Sequence, residues 1–383
     1  MHIRNKRKFR TVRFILLKVS RLLKLVSLFR RAQKRILIVK IDAIGDYILF
    51  RNFLDALKNS EKYQNYDIEL LGNKSWKDLA LAYDKNFVSH FHFIDEDSLY
   101  EAPGRIFKIG WKLFSRKYEI VLQPTYSRTL VGNGLAAMAA GKTSIAYNSK
   151  HEHHPRYKKQ TDRFYTTLIE LPQGTYHEYE RNHFFFKSVL DQVDLPFVSP
   201  TLPVVKNQSK DILIFPGSSY YKRNWEKEKF ANIIAKLLKE TDSKIVIAGG
   251  RDEVATASYF LGVLPSSPQL EDLTGKTSLP ELIQLVSNSK LVISNETSAV
   301  HIAAACKTPV VCITGGGHFE RFAPYAGSMS FKPICVYEYM PCYRCDWNCK
   351  YHNDFNEPFP CISRISEETV WNVITRALAK SNI

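Results

Sequence analysis

Four stretches carry residue types and spacings suited to chemistry on an anionic, hydroxylated ligand. In Ile41-Asp42-Ala43-Ile44-Gly45-Asp46, Gly45 permits a tight turn after an apolar run and Asp46 stands at the start of a helical pattern. A carboxylate there can take a proton from a substrate or cap the helix, and spacing alone favours the cap. Phe215-Pro216-Gly217-Ser218-Ser219, followed by Lys222-Arg223-Asn224-Trp225, joins open amides to two cations that could neutralise phosphate. The competing reading is a solvated basic loop over a packed Trp225. Gly249-Gly250-Arg251-Asp252-Glu253 would let a ligand approach the backbone and offers Glu253 to ribose hydroxyls, although a Gly-Gly pair is also a plain turn. Ser294-Asn295-Glu296-Thr297-Ser298-Ala299-Val300-His301 sets Thr297 and Ser298 at a helix N-terminus with His301 about one turn on. Hydroxyls, amides and dipole would converge there on a diphosphate, or simply cap the helix.

Each stretch follows a strand signal, and the signals alternate with helical ones. Strands are predicted at Arg35–Ile41, Asp67–Leu71, Phe91–Ile94, Glu119–Gln123 and Ser144–Tyr147, and again at Ile212–Phe215, Lys244–Ala248, Leu291–Ser294 and Val310–Ile313. Helical patterns such as Ala102–Phe114, Arg128–Ala140, Glu226–Lys239 and Thr297–Cys306 lie between them. Such alternation implies α/β domains with largely parallel sheets, because parallel strands need crossover connections. A length of 383 residues suits two of them. The expected division is a basic segment over residues 1–34, a first domain over 35–194, a proline-bearing linker over 195–210, a second domain over 211–365 and a closing helix over 366–383. That last helix could cross back to the first domain.

The net charge of +16 suggests nucleic acid until it is located. Residues 1–35 hold thirteen Lys or Arg and no acid, leaving 16 − 13 = +3 for the remainder. Ile15, Val19, Leu22, Val26 and Phe29 recur there at helical spacing, so the segment reads as a basic amphipathic helix. Lys18, Arg21 and Lys24 interrupt every apolar run, which argues against a membrane span or secretory core, so the chain is expected to stay in the cytoplasm. The preferred partner is an anionic membrane surface; a helix docked on the protein's own body is the alternative, ahead of a nucleic-acid tail. Seven cysteines in such a chain should be reduced. Cys342, Cys345, Cys349 and Cys361 form C-x2-C-x3-C-x11-C, a spacing for a saturated structural zinc site, with His352 as a substitute ligand, or a mere cluster of thiols.

Taken in order, these blocks resemble the heptosyltransferase type of glycosyltransferase, family 9, which builds the core of bacterial lipopolysaccharide. Ile36–Leu49, Leu213–Ser218 with Lys222–Trp225, and Asp272–Leu279 followed by Leu291–Tyr325 carry the resemblance, which runs from about Arg35 to Ala379. It implies a GT-B architecture: two Rossmann-like domains facing a central cleft, acceptor on the first and nucleotide sugar on the second. It also implies inverting transfer without a catalytic metal. Asp46 matches the base, with Gly45 beside it. Lys222 or Arg223 and the helix start at Thr297–Ser298 match the groups on the diphosphate, with Gly217 and Ser218 in the same loop. Glu253 matches the ribose position, and His301 the histidine of the fourth stretch. The implied partners are a nucleotide-diphosphate sugar and a lipid-linked glycan, not nucleic acid.

This sequence also departs from the family pattern. Glu296 and Ser298 stand where the family has Asp and Gly, so the donor could differ from ADP-heptose. Asn224 separates the cations from Trp225, and Gly315-Gly316-Gly317-His318 is expected to leave room or mobility beside the donor. The residues also admit two other readings. One is a nucleic-acid-binding protein with a basic arm and a zinc module; the other is a transferase fold that binds a nucleotide sugar without turnover.

Overall fold

The computed structural model describes residues 3–149, 155–192, 194–351 and 357–380. These gather into two compact units, Met1–Thr175 with Tyr179–Phe197, and Tyr176–Glu178 with Val198–Ile383. In the first unit, strands β1 (Gln33–Lys40), β2 (Asp67–Asn73), β3 (His90–Ile94), β4 (Tyr118–Gln123), β5 (Thr143–Tyr147) and β6 (Thr167–Ile169) form a parallel sheet in the order β3-β2-β1-β4-β5-β6. In the second, β7 (Ile212–Phe215), β8 (Ile245–Ile247), β9 (Leu270–Asp272), β10 (Leu291–Asn295), β11 (Val310–Ile313) and β12 (Ile334–Val336) are also parallel, in the order β12-β11-β10-β7-β8-β9. Counted from its own first strand, the second sheet repeats the order of the first. The winding reverses between β1 and β4 in one and between β7 and β10 in the other. Loops leave such a pair in opposite directions, and the crevice between them is where open α/β sheets take ligands.

The strands visible in the sequence are mostly central ones, whose runs are apolar because helices cover both faces. The overlooked β6, β9 and β12 have three residues each, lie at sheet edges and are mostly part-exposed, so they show no period. The closing helix Glu367–Lys380 packs on the second sheet, with Val370, Ile374 and Ala377 in that core.

The basic segment is one continuous helix in three pieces: Lys6–Phe14, a π turn at Ile15–Val19, and Ser20–Ser27. Asn5 caps it by accepting from the N–H groups of Arg7 and Lys8. Phe9, Val12, Ile15, Leu16, Leu17 and Leu23 enter the first unit's core. Beneath them the Leu130–Ala139 helix is buried throughout, and a Cβ on Gly134 would meet Leu16 Cδ2 at 2.5 Å. A π turn inserts one residue and rotates the remainder of the helix by about 100°. The single stripe expected from the sequence therefore splits: Ile15 is buried, Val19 half-buried, and Leu22, Val26 and Phe29 face outward. Docking on the protein's own body thus describes the inner residues only.

The first sheet holds a fully buried carboxylate. Glu69 on β2 accepts from His92 Nε2 (2.9 Å), Tyr118 Oη (2.6 Å) and Arg116 Nε (2.8 Å). Burial alone would raise its pKa, but these donors and the Arg116 charge bring it down to about 2. A lowered carboxyl stabilises fully above its unfolded value, and that stabilisation is lost as pH falls through the folded one. Wild-type thermal stability should therefore drop between about pH 4.5 and 2. Glu69→Gln, about 3 kcal/mol less stable at neutral pH, should show a shallower drop in melts across that range.

Candidate functional site

In the first unit the loop after β1 enters the short helix Ile44–Ile48. Ala43 occupies the N-cap without a side-chain bond, so Asp46, in the first turn and partly exposed, is not the capping residue that spacing favoured. Gly45 is buried inside this helix rather than bending a turn, and it is not among the glycines with positive φ. Close by in sequence, the fully buried Lys40 donates Nζ–H to Asp42 Oδ2 (2.8 Å), and Thr125 Oγ1, from the loop after β4, donates to the same oxygen (3.0 Å). The switch point of the first sheet therefore presents two unlike carboxylates, Asp42 bound to a cation and Asp46 at a helix start. Lys40, Asp42 and Thr125 were not foreseen as a group.

In the second unit one residue ties the switch point together. Asn295, at the end of β10, accepts from Trp225 N–H (3.1 Å) and donates Nδ2–H to Pro216 O (2.5 Å), stitching the loop after β7 to that after β10. Trp225 is buried and its indole N–H donates to Ile365 O (2.9 Å), so the loop has a rigid floor. Glu296 is buried; its backbone N–H donates to Ile313 O, and Thr314 Oγ1 donates to its carboxylate. Burial raises its pKa, opposed by the charge of Arg223, whose Nη2 lies 3.9 Å away, and by that hydrogen bond. Thr297 caps Ser298–Ala305 by accepting from Ala299 N–H, leaving Ser298 partly exposed as the first helical residue. His301 is buried one turn on, with Nδ1 at 2.8 Å from Tyr325 Oη. Burial, with His177 nearby, brings its pKa down to about 3, so it is a neutral hydrogen-bonding ring at physiological pH.

The two cations part company. Lys222 is buried, with its ammonium 5.8 Å from the Tyr221 ring. Arg223 lies with its guanidinium carbon 4.7 Å from the Trp347 ring centroid and reaches Glu296 O through Nη2 (3.4 Å). Arg223 Nε, Asn224 Oδ1, Glu296 Oε1 and Trp347 Nε1 are all buried without hydrogen-bond partners. Such a concentration of unmet polar atoms is the pattern left where a bound water or polar ligand would complete the hydrogen bonding. Glu253 sits on the glycines: a Cβ at Gly217 would collide with its Cγ, and Gly249 lies alongside. Gly217 therefore makes room for a carboxylate of the chain itself, while Ser218 bonds locally to Tyr220 O (2.8 Å).

The triple glycine does not open space. A Cβ on Gly316 would strike the Tyr343 ring and one on Gly317 would strike the Trp347 indole, while Arg344 and Asp346 donate backbone N–H groups to Gly316 O and Gly317 O. The glycines let the cysteine-bearing loop lie on their backbone, contrary to the room expected there. In that loop Cys342, Cys345 and Cys349 are part-exposed, and all seven cysteines are free. Cys361 is buried and accepts from Gly316 N–H (3.3 Å); burial, with the other three cysteines nearby, pushes its thiol up to about 11. Among the described residues no three His, Cys, Asp or Glu gather as a metal-holding group, and His352 lies outside them. A structural zinc rests on spacing alone.

Comparison with known proteins places these loops in context. Residues 124–345, more than half of the chain, match the model of glycosyltransferase family 9 (heptosyltransferase). A lipopolysaccharide heptosyltransferase 3 of Escherichia coli K12 is 28% identical over 142 residues, 37% of this chain and 41% of that protein. The chain thus spans less than half the length of that curated relative. Two solved structures share the fold: a family 9 glycosyl transferase from Veillonella parvula (TM-score 0.71, 17% identity, 92% of this chain and 99% of that one) and the E. coli ADP-heptose lps heptosyltransferase II (TM-score 0.69, 14% identity, 91% and 100%).

Proposed function

We propose that this chain, which belongs to glycosyltransferase family 9, is an inverting transferase that moves a heptose from ADP-heptose to a lipopolysaccharide core or related lipid-linked glycan. The observation that carries the reading is the set of unpartnered buried atoms around Arg223 and Glu296, at the switch point of a sheet that lies within the family match. In this reading Asp46 takes the proton of the acceptor hydroxyl as it attacks the anomeric carbon opposite the departing diphosphate. Arg223, rather than the more enclosed Lys222, meets the growing diphosphate charge, together with the amides and hydroxyls of Thr297 and Ser298. These donors are fixed before reaction, which is what makes such stabilisation effective. Glu253 holds the ribose, Glu296 and the neutral His301 meet sugar hydroxyls, and no metal is required.

The acceptor sits in the inner leaflet of the cytoplasmic membrane, and the basic N-terminal segment brings the enzyme to that anionic surface. No described helix is long and apolar enough to cross a membrane, so association is peripheral in this reading.

A thermal-shift series tests the donor. A ligand that binds only the native state raises its melting temperature, so ADP and ADP-heptose should do so and GDP-, UDP- and dTDP-sugars should not. A shift confined to one of the other nucleotides would replace the ADP reading, with Glu296 and Ser298 as the reason.

A further inference from the structure

The N-terminal helix meets a second exposed apolar strip on the same unit. Beyond its buried inner face, its last turns and the residues just past them present Leu22, Leu25, Val26, Leu28 and Phe29 outward, with Leu28 74% and Phe29 92% exposed. The helix Pro103–Ser115 packs beside its first piece and its π turn and carries its own outward pair one turn apart, Phe107 (45%) and Trp111 (51%), their rings stacked at 6.2 Å. The strips are joined through Arg30. Its guanidinium lies 3.9 Å over the Phe114 ring and donates to Ala139 O, and Phe114 in turn contacts Trp111, ring centroids 5.6 Å apart. Lys18, Arg31, Lys34, Arg105, Lys108 and Lys112 are exposed on the same two segments, and neither residues 3–34 nor 103–115 contain an acid.

We propose that the two helices form one docking face for an anionic lipid bilayer, with Phe29, Leu25, Trp111 and Phe107 entering the headgroup layer. This rests on the peripheral reading above and goes further by giving half of the surface to residues 103–115. Charge argues for the bilayer: a protein partner would need a matching acidic, apolar patch, whereas anionic lipid supplies both properties everywhere on its surface. Tryptophan and phenylalanine flanked by lysine are the side chains that settle at a membrane interface. The inner helix face is fixed in the core, so the bilayer would hold the first unit in a set orientation, not on a flexible tether. For the same reason, deleting residues 1–34 is a poor test, because it would open the core that Val12 and Leu16 fill.

The full-length chain and two outer-face variants, Leu25→Glu/Phe29→Glu and Phe107→Ser/Trp111→Ser, would be sedimented with phosphatidylcholine vesicles with and without phosphatidylglycerol. Wild type should bind the anionic vesicles, and each variant should bind them at least roughly tenfold more weakly while melting as wild type does. Bromine-labelled lipid should also quench a fluorescence component that Trp111→Phe removes. If the Phe107/Trp111 variant binds and wild-type quenching is the same in Trp111→Phe, the two-helix face is wrong and the helix-only reading survives. If wild type binds no vesicle, or forms a dimer that the same substitutions dissociate, both readings fall.

Discussion

Asp46→Asn should abolish sugar transfer, by roughly 10²- to 10⁴-fold or more, while leaving ADP affinity and melting temperature as in wild type. The substitution keeps shape while removing the carboxylate's charge and basicity. It should not unravel the helix start, because Ala43 holds the N-cap and Asp46 supplies no cap. The nearby Asp42 is a poor substitute, because Lys40 Nζ at 2.8 Å and Thr125 Oγ1 at 3.0 Å already occupy its Oδ2. The check pairs initial rates of transfer with calorimetric titration by ADP. Undiminished turnover in Asp46→Asn would remove Asp46 as base, and Asp42→Asn would then be expected to carry the loss.

The difference between these two aspartates shows what a sequence can and cannot reveal. The alternation of strand and helix, the four junctions and the helix at Thr297–Ser298 were legible because each depends on residues adjacent in the chain. Asn295 was not: its partners Trp225 and Pro216 lie 70 and 79 residues away, and an Asn at a strand end looks like an ordinary boundary. The π turn hid the split of the N-terminal helix, since a pattern read at constant period assumes that no residue is inserted. The triple glycine was visible but misjudged. Three glycines in a row can mean freedom or the close approach of something large, and only the position of Tyr343 and Trp347 decides between them.

That position leads to the second large effect. Arg223→Ala should weaken ADP binding by on the order of 10²-fold, the worth of one to two charge-assisted hydrogen bonds. Trp347→Ala should weaken it by about tenfold, because the indole is the surface on which the guanidinium rests and a desolvated cation–π contact is worth up to ~2 kcal/mol. Trp347 would thus act through Arg223 as a positioning residue, and the loss should fall on donor KM more than on kcat, with Trp347→Phe recovering most of it. A cycle separates this from simple space-filling over Gly317. If Trp347 works by holding the guanidinium, its removal should cost little once Arg223 is already alanine. If it only packs against the glycine backbone, the cost should be the same with or without Arg223, and the cysteine-bearing loop would then be a wall of the donor site with no part in its electrostatics.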